Sequence, residues 1–310
     1  MNKMSEVNQT TKKFKTAKDR NARLGKNPLS WFVFIVLVFC SCYVGYKLVW
    51  GLITSFKDVN EFMDNKLGLP KRWAFENYLY VFKNFYVPIT STAGIKKVWI
   101  EQLFFNSLMF AGVGALIQVA TIAWVSYLVA KFDYKLSNFI YTLVLLVQII
   151  PLVNSSAATL KLMRNLQIYD TYWSFWFMKV SFTHMQFLLL YPSWRAIPKD
   201  YSEAAVIDGA GEWTIFLRVN LPMVMPLLLT FILTNFIAYW NDYMTPLIYT
   251  PSQPTLSYGV YILTNTNIQG FSRTPMRMST SYLAGVPMIL VFIIFRKQIM
   301  KKMSLGGLKE

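Results

Sequence analysis

Long apolar stretches separated by short polar segments run through most of the chain. A helix needs roughly 20 consecutive apolar residues to cross the hydrocarbon core of a bilayer. Six stretches reach this length with almost no charge, and they predict spans at about 31–56, 103–129, 137–160, 172–194, 222–245 and 278–298. The pattern therefore predicts an all-α polytopic membrane protein with six transmembrane helices.

Composition narrows the class of protein further. Of the 310 residues, 55% are hydrophobic and only 15% are charged, whereas a typical soluble domain has roughly 25% charged residues. A soluble enzyme, a secreted disulfide scaffold and a disordered regulator are thereby excluded. Cys40 and Cys42 lie two positions apart in the first span and would point to different helix faces, so we expect no disulfide between them.

The net charge of +16 lies mainly in the segments between the apolar stretches. This distribution is typical of loops retained on the cytoplasmic side of a membrane, and it argues against a nucleic acid as the partner. An even number of spans places both basic termini on one side, which we expect to be the cytoplasm. Residues 1–27 are predicted to be a mobile basic tail, residues 28–310 the transmembrane domain, and 57–101 an external segment of unassigned role.

The segment 198–220, here called the elbow, carries the most specific pattern. Asp200 and Glu203 have the spacing of a capping box, which predicts the start of a short helix. Gly209 and Gly211 would end that helix and permit a turn. A second short helix would follow, and Leu221-Pro222 would begin the next span. The pattern predicts a rigid connector between two membrane helices.

The elbow resembles the EAA motif of permease subunits in binding-protein-dependent ABC importers. Six residues match in register, with Val219 where isoleucine is usual, namely Glu203, Ala204, Ala205, Gly209, Leu221 and Pro222. The resemblance extends over most of 30–310 and is strongest to the carbohydrate branch, the maltose and multiple-sugar type. The likeness to the carbohydrate branch lies in Trp240-Asn241-Asp242 and in the tail at 305–309. The implied architecture is the type I ABC importer permease fold.

The resemblance also implies partners and a division of labour. A second homologous permease subunit would complete the pathway, two cytoplasmic ABC ATPase subunits would use ATP and Mg²⁺, and an extracellular solute-binding protein would deliver sugar. This chain would lie in a bacterial cytoplasmic membrane and bind no cofactor itself. The elbow would be the coupling helix that contacts the ATPase, through Glu203, Ala204, Ala205, Asp208, Gly209, Leu221 and Pro222.

Polar groups inside apolar spans are costly to bury and are candidates for contact with solute. The candidates for lining a sugar pathway are Gln148, Asn154, Asn235, Tyr239, Trp240, Asn241 and Asp242. The competing interpretation is packing between helices, or placement at the membrane interface for those near the end of the fifth span. Lys47 and Lys179 are expected to snorkel to the surface, and His184 to be a hydrogen-bonding residue between helices.

Other functions are weakly supported by the residues present. The chain has no Gly-x4-Gly-Lys-Ser/Thr phosphate loop, so we expect it not to be an ATPase, and one histidine with two cysteines offers few metal ligands. An ABC permease for a non-sugar solute remains the main alternative. A stand-alone secondary transporter would need acidic residues in mid-span, and an intramembrane enzyme would need a partner for His184.

Overall fold

The computed structural model describes residues 28–91, 94–132, 134–150, 156–266 and 268–303. The candidate Asn154, the tail 1–27 and the family-like ending at 305–309 lie outside the described residues. The chain forms two compact units that divide after Ala74.

The first unit contains a long apolar helix and a short polar one. Helix α1 spans Pro28–Ser55, and its side chains are exposed until the last turn, where Gly51, Thr54 and Ser55 are buried. Both cysteines of α1 are free. Helix α2, Val59–Asp64, begins where the Asp58 carboxylate accepts a hydrogen bond from the backbone of the second helical residue. The exposed apolar surface of α1 needs lipid or another protein to cover it.

The second unit opens with a helix and a β-hairpin. Helix α3 spans Glu76–Asn84, and strands β1, Tyr86–Ser91, and β2, Gly94–Trp99, pair antiparallel in the register Tyr86↔Trp99. Val87 and Ile89 are buried on one face of β1, as the two-residue period of a strand requires. The prediction of an all-α fold is wrong at this hairpin, which lies inside the segment 57–101 that had no assigned role.

Three long helices dominate the rest of this unit. Helix α4, Ile100–Lys131, contains a π-helical stretch at Met109–Val113, between the α-helical parts Ile100–Leu108 and Gly114–Lys131. Helix α10, Glu212–Asn241, contains one at Ile215–Asn220, between Glu212–Thr214 and Leu221–Asn241. Helix α13 spans Thr274–Met303. The shorter helices are α5 Lys135–Ile149, α6 Ser156–Asn165, α7 Tyr172–Lys179, α8 Met185–Arg195, α9 Lys199–Ile207, α11 Met244–Tyr249 and α12 Leu256–Asn265.

Four helices in the described ranges are long and apolar enough to cross a bilayer: α1, α4, α10 and the part of α13 at Thr274–Phe295. The third and fourth predicted spans are interrupted. Helix α5 ends at Ile149, and the next residue, Ile150, is extended, as expected for a residue that precedes a proline. The fourth predicted span is divided into α7 and α8 by the non-helical segment 180–184, here called the break.

The core of the second unit lies where α5, α8 and α10 pack around α4. Phe187, Leu190 and Trp194 recur along α8 at helical spacing and are fully buried in it. The Trp194 indole donates a hydrogen bond of 2.9 Å to the Ser126 hydroxyl of α4, which satisfies two buried polar atoms at once. By contrast α13 keeps Ile289, Leu290 and similar residues exposed. The exposed apolar surfaces of α1 and α13 are those of a multi-pass membrane protein.

A matched pair of glycines in α4 tests the packing of α4 against α7. A Cβ atom at Gly114 would lie 2.5 Å from the ring of Phe175, whereas one at Gly112 would meet its nearest side-chain atom at 3.9 Å. Phe175 is fully buried and stacks on Phe110 with ring centroids 3.5 Å apart, so it cannot swing aside. We expect Gly114→Ala to destabilise the fold by about 1–3 kcal/mol through overpacking.

The measurement is the melting temperature of the detergent-purified protein. Gly112→Ala is the control and should leave it unchanged or raise it, because alanine favours helix over glycine by about 1 kcal/mol. Combining Gly114→Ala with Phe175→Leu should recover part of the loss. Equal melting temperatures for the two alanine variants would contradict this account of the packing.

Candidate functional site: the elbow and the break

The elbow begins with the nine-residue helix α9. Its N-cap residue is Pro198, and no side chain caps the helix there. The predicted capping box of Asp200 and Glu203 is therefore wrong, because the helix starts at Lys199 and Asp200 already lies in its first turn. The Asp200 carboxylate still favours this helix end through the charge of the helix dipole.

Helix α9 ends in a Schellman motif centred on Gly209. The Ala210 amide donates to the Ala205 carbonyl at 2.9 Å, and the Gly209 amide donates to the Val206 carbonyl at 2.9 Å. Gly209 has a φ of +79°, in the left-handed region where a side chain would be strained. The predicted turn at Gly209 is confirmed, whereas Gly211, with a φ of −74°, has ordinary extended backbone.

The second half of the elbow is part of α10, a helix long and apolar enough to cross a bilayer. The sequence predicts a separate short helix here and a new span that begins at Leu221-Pro222. That prediction is wrong, because α10 runs without interruption from Glu212. The π-helical stretch Ile215–Asn220 ends directly before these two residues. Pro222, which has no amide hydrogen, lies in the first turn of the α-helical part that follows this stretch.

Helix α9 presents an almost fully exposed surface, since none of its residues is buried. Glu203, Ala204 and Asp208, three of the predicted contact residues, are exposed. So are two large apolar side chains, Val206 at 56% and Ile207 at 86% of their areas. An exposed apolar patch beside charged residues is typical of a surface that another protein covers.

Both ends of the elbow are tied to the last turns of α4. The side-chain amide of Asn220 is fully buried and donates to the Tyr127 hydroxyl at 3.3 Å and to the Ser202 hydroxyl at 3.5 Å. The Lys131 ammonium donates to the Ile197 carbonyl, just before α9, at 2.9 Å. These contacts fix the position of α9 relative to α4.

Sequence reasoning missed these anchoring residues. Asn220 directly precedes Leu221 in the motif, and its position beside the Leu-Pro pair was the only signal available. Asn220 is the last residue of the π-helical stretch of α10, and its side chain contacts Tyr127. Nothing in the sequence pattern indicates that stretch.

The break lies beside the middle of α4 and is lined by amide side chains. Gln118, the nineteenth of the 32 residues of α4, is buried and donates to the Ser181 carbonyl at 3.3 Å. Gln148 of α5, a predicted pathway residue, donates to the Thr183 carbonyl at 3.0 Å. These bonds pair carbonyl groups that the missing helical turn leaves free. The rest of the Gln148 side chain is exposed.

Tyr239 and Lys179 meet next to the break. The Tyr239 hydroxyl donates to the side-chain carbonyl of Gln118 at 2.5 Å. The Lys179 ammonium at the end of α7 lies 3.9 Å from the centroid of the Tyr239 ring and 4.7 Å from that of Phe175. Lys179, which we expect to snorkel to the surface, is partly exposed, and its ammonium lies over two aromatic faces.

Two further predicted residues flank the break. Asn235 of α10 exchanges two hydrogen bonds with Gln186 of α8, at 2.8 and 3.2 Å. His184 is exposed and forms the N-cap of α8 without a capping side-chain bond. The break thus gathers polar side chains from α4, α5, α7, α8 and α10 at one level.

The remaining candidates lie at the C-terminal end of α10. Trp240 is buried and donates to the Ala284 carbonyl at 3.3 Å. The Asp242 carboxylate accepts hydrogen bonds from both the amide and the hydroxyl of Thr245, at 3.0 and 2.5 Å. Asn241 is exposed and donates to the Ile237 carbonyl at 2.8 Å. These contacts support a packing role for Trp240 and Asp242.

A cleft of about 520 Å³ opens beside Trp240 and Asn241, between α10, α12 and α13. The stacked rings of Tyr243 and Tyr261 form part of its wall, with centroids 4.5 Å apart.

Within the described ranges, no group of three or more His, Cys, Asp or Glu side chains could hold a metal ion.

Comparison with known proteins gives one family match over more than half of the chain. Residues 121–304, which include the break and the elbow, match the family described as binding-protein-dependent transport system inner membrane component. A solved bacterial ABC transporter involved in the import of the acidic polysaccharide alginate has a chain with a TM-score of 0.70 and 16% identity. The likeness covers 86% of this chain and 94% of that one, and it shows the fold.

Several curated relatives match over nearly their full lengths. The diacetylchitobiose uptake system permease protein NgcG of Streptomyces coelicolor is 27% identical over 87% of this chain and 86% of the relative. The arabinooligosaccharides transport system permease protein AraQ of Halalkalibacterium halodurans is 26% identical over 91% and 97%. The galactooligosaccharides transport system permease protein GanQ of Bacillus subtilis is 26% identical over 90% and 95%.

The turn at Gly209 can be tested by hydrogen exchange. A Cβ atom in the left-handed region costs about 1–2 kcal/mol. We therefore expect Gly209→Ala to speed amide exchange at 208–210 by about 5- to 30-fold. The matched control is Gly211→Ala, since Gly211 has an ordinary φ and no atom within 4 Å of an added Cβ. Exchange measured by mass spectrometry on the purified protein should be normal in the control, and equal rates in both variants would refute the role of Gly209.

Proposed function

Because the chain belongs to the family of binding-protein-dependent transport system inner membrane components, we propose that it is a permease subunit of an ATP-driven importer of oligosaccharides. It would form half of the translocation pathway and couple that pathway to a separate ATPase. The observation that carries the proposal is the surface of α9, which is exposed along its whole length and ends in a rigid turn.

The choice of sugar as the solute rests on the relatives. The names of the three relatives with high coverage refer to diacetylchitobiose, arabinooligosaccharides and galactooligosaccharides. Polar side chains around the break, such as Gln148 and the Gln186–Asn235 pair, offer the amide groups that bind hydroxyl groups. A permease for a non-sugar solute is the alternative that an uptake assay would reveal.

Coupling would pass through α9. The apolar side chains of Val206 and Ile207 would enter a groove on the ATPase, and Glu203 would make a polar contact at its edge. The Asn220 and Lys131 bonds attach α9 to α4, so a displacement of α9 would be passed on to the transmembrane helices. Two cytoplasmic ATPase subunits, a second permease subunit and an extracellular binding protein complete the proposed importer.

We also propose six crossings with both termini in the cytoplasm. Helices α1, α4, α10 and α13 are long enough to cross alone. Helix α5, with 15 residues, is about 22 Å long and would complete the third crossing with α6. Helices α7 and α8 would share the fourth crossing on either side of the break. The elbow would then lie on the same side as the basic termini.

Substitutions on α9 test the contact with the ATPase. We expect Glu203→Lys and Ile207→Asp to reduce co-purification of the ATPase at least tenfold, because each puts charge into the proposed interface. The matched control is Tyr134→Asp, which changes an aromatic residue of similar exposure, 65%, in another loop. Binding is measured by mass spectrometry of the complex purified in mild detergent, with the elution profile of the chain as the check on folding. Retention of the ATPase by both variants would refute the proposed contact.

Transport itself is tested with the importer reconstituted in proteoliposomes. We expect ATP-dependent uptake of oligosaccharides only when the binding protein is present outside, and ATP hydrolysis that rises when that protein carries sugar. Uptake by this chain alone, without any ATPase, would replace the proposal with a stand-alone secondary transporter. ATP-dependent uptake of a non-sugar solute instead would keep the coupling role and overturn the choice of sugar.

A further inference from the structure

Lys179 has a positive charge that forms no close ion pair with a carboxylate of the described residues. It is partly exposed at the end of α7, next to the break. In the part of the chain that the structure describes, its ammonium has only ring faces as partners, those of Tyr239 and Phe175. Asp242 attracts this charge electrostatically, but the hydrogen bonds that its carboxylate accepts come from Thr245 and not from the ammonium.

Ring faces alone are a weak substitute for water around an ammonium group. A cation–π contact contributes about 0.5–2 kcal/mol, whereas removing an ion from water costs several kcal/mol. The ammonium also has three donor hydrogens, and an aromatic face satisfies none of them as an oxygen acceptor would. An ionisable group at this depth is retained when it has a partner in a pathway or cavity.

The surroundings of Lys179 are polar and partly exposed. Non-helical backbone at membrane depth is tolerated where it is buried in protein or lines a water-filled cavity. The break is such a segment, and Gln148, whose amide pairs with the Thr183 carbonyl, is exposed beside it. Lys179 therefore adds a single positive charge to a group of neutral hydrogen-bonding side chains.

We propose that Lys179 binds a carboxylate of the transported solute, and that the importer accepts oligosaccharides that contain uronic acid residues. This inference rests on the proposed function, since it identifies the chemical class of solute that the pathway accepts. The amide groups would bind the hydroxyl groups of the sugar, and Lys179 would bind its carboxylate. A carboxylate of the second permease subunit is the competing partner for this charge.

The test compares two sugars that differ only in charge. The probes are the trisaccharide of galacturonate and the same trisaccharide after reduction of its carboxyl groups to hydroxymethyl groups. Uptake of each is measured with the complete importer in proteoliposomes and an unaltered binding protein. Because the binding protein is the same throughout, a change in the ratio of acidic to neutral uptake reports on the permease.

We expect the unaltered importer to take up both sugars, and Lys179→Met to lower the ratio of acidic to neutral uptake about tenfold or more, as loss of a charged hydrogen bond would. Lys179→Arg should retain most of the ratio. The matched control is Lys47→Met, since Lys47 also lies over a ring, that of Tyr43 at 4.2 Å, but is exposed on α1. This control should leave the ratio unchanged.

Three other outcomes would overturn the inference, and they are distinguishable. Uptake of the neutral sugar alone by the unaltered importer would show that the pathway rejects carboxylates. Equal loss of both sugars in Lys179→Met would assign the charge to folding or to the partner subunit. Uptake of neither sugar by an assembled importer that hydrolyses ATP would overturn the proposed function together with this inference.

Discussion

The need to pair every backbone polar group inside an apolar medium governs this structure. Continuous helices such as α4 and α10 meet that need internally, and the break does not. Its Ser181 and Thr183 carbonyls are paired instead by the side chains of Gln118 and Gln148. Two amide side chains from neighbouring helices therefore replace the missing turn, and they draw polar atoms into the interior.

The same requirement shapes the elbow, but there the side chains join separate elements. Lys131 pairs the Ile197 carbonyl before α9, and the Schellman bonds at Gly209 pair the carbonyls at its end. Asn220 links Tyr127 of α4 to Ser202 of α9. As a result the first half of α9 is attached to α4, while none of the residues of α9 is buried.

The sequence allowed prediction of features that depend on local pattern. Uninterrupted apolar runs predict α1 and α4, and a glycine after a short amphipathic run predicts the turn at Gly209. Features that depend on tertiary contact could not be predicted. The break interrupts an apolar run, and its carbonyl groups are paired by Gln118 and Gln148, which lie far from it in sequence. The joining of the second elbow helix to α10 depends on a π-helical stretch, and propensity does not distinguish such a stretch from ordinary helix.

Helix α4 contacts both candidate sites, the break and the elbow. Gln118 contacts the break, and Tyr127, nine residues further along the same helix, contacts Asn220 near the elbow. At 1.5 Å per residue the two contacts are about 13 Å apart along the helix axis. A helix packed on several sides moves as a rigid body over so short a distance. Any shift of the elbow that moves the end of α4 therefore also moves Gln118, and with it the hydrogen bond to Tyr239 beside Lys179.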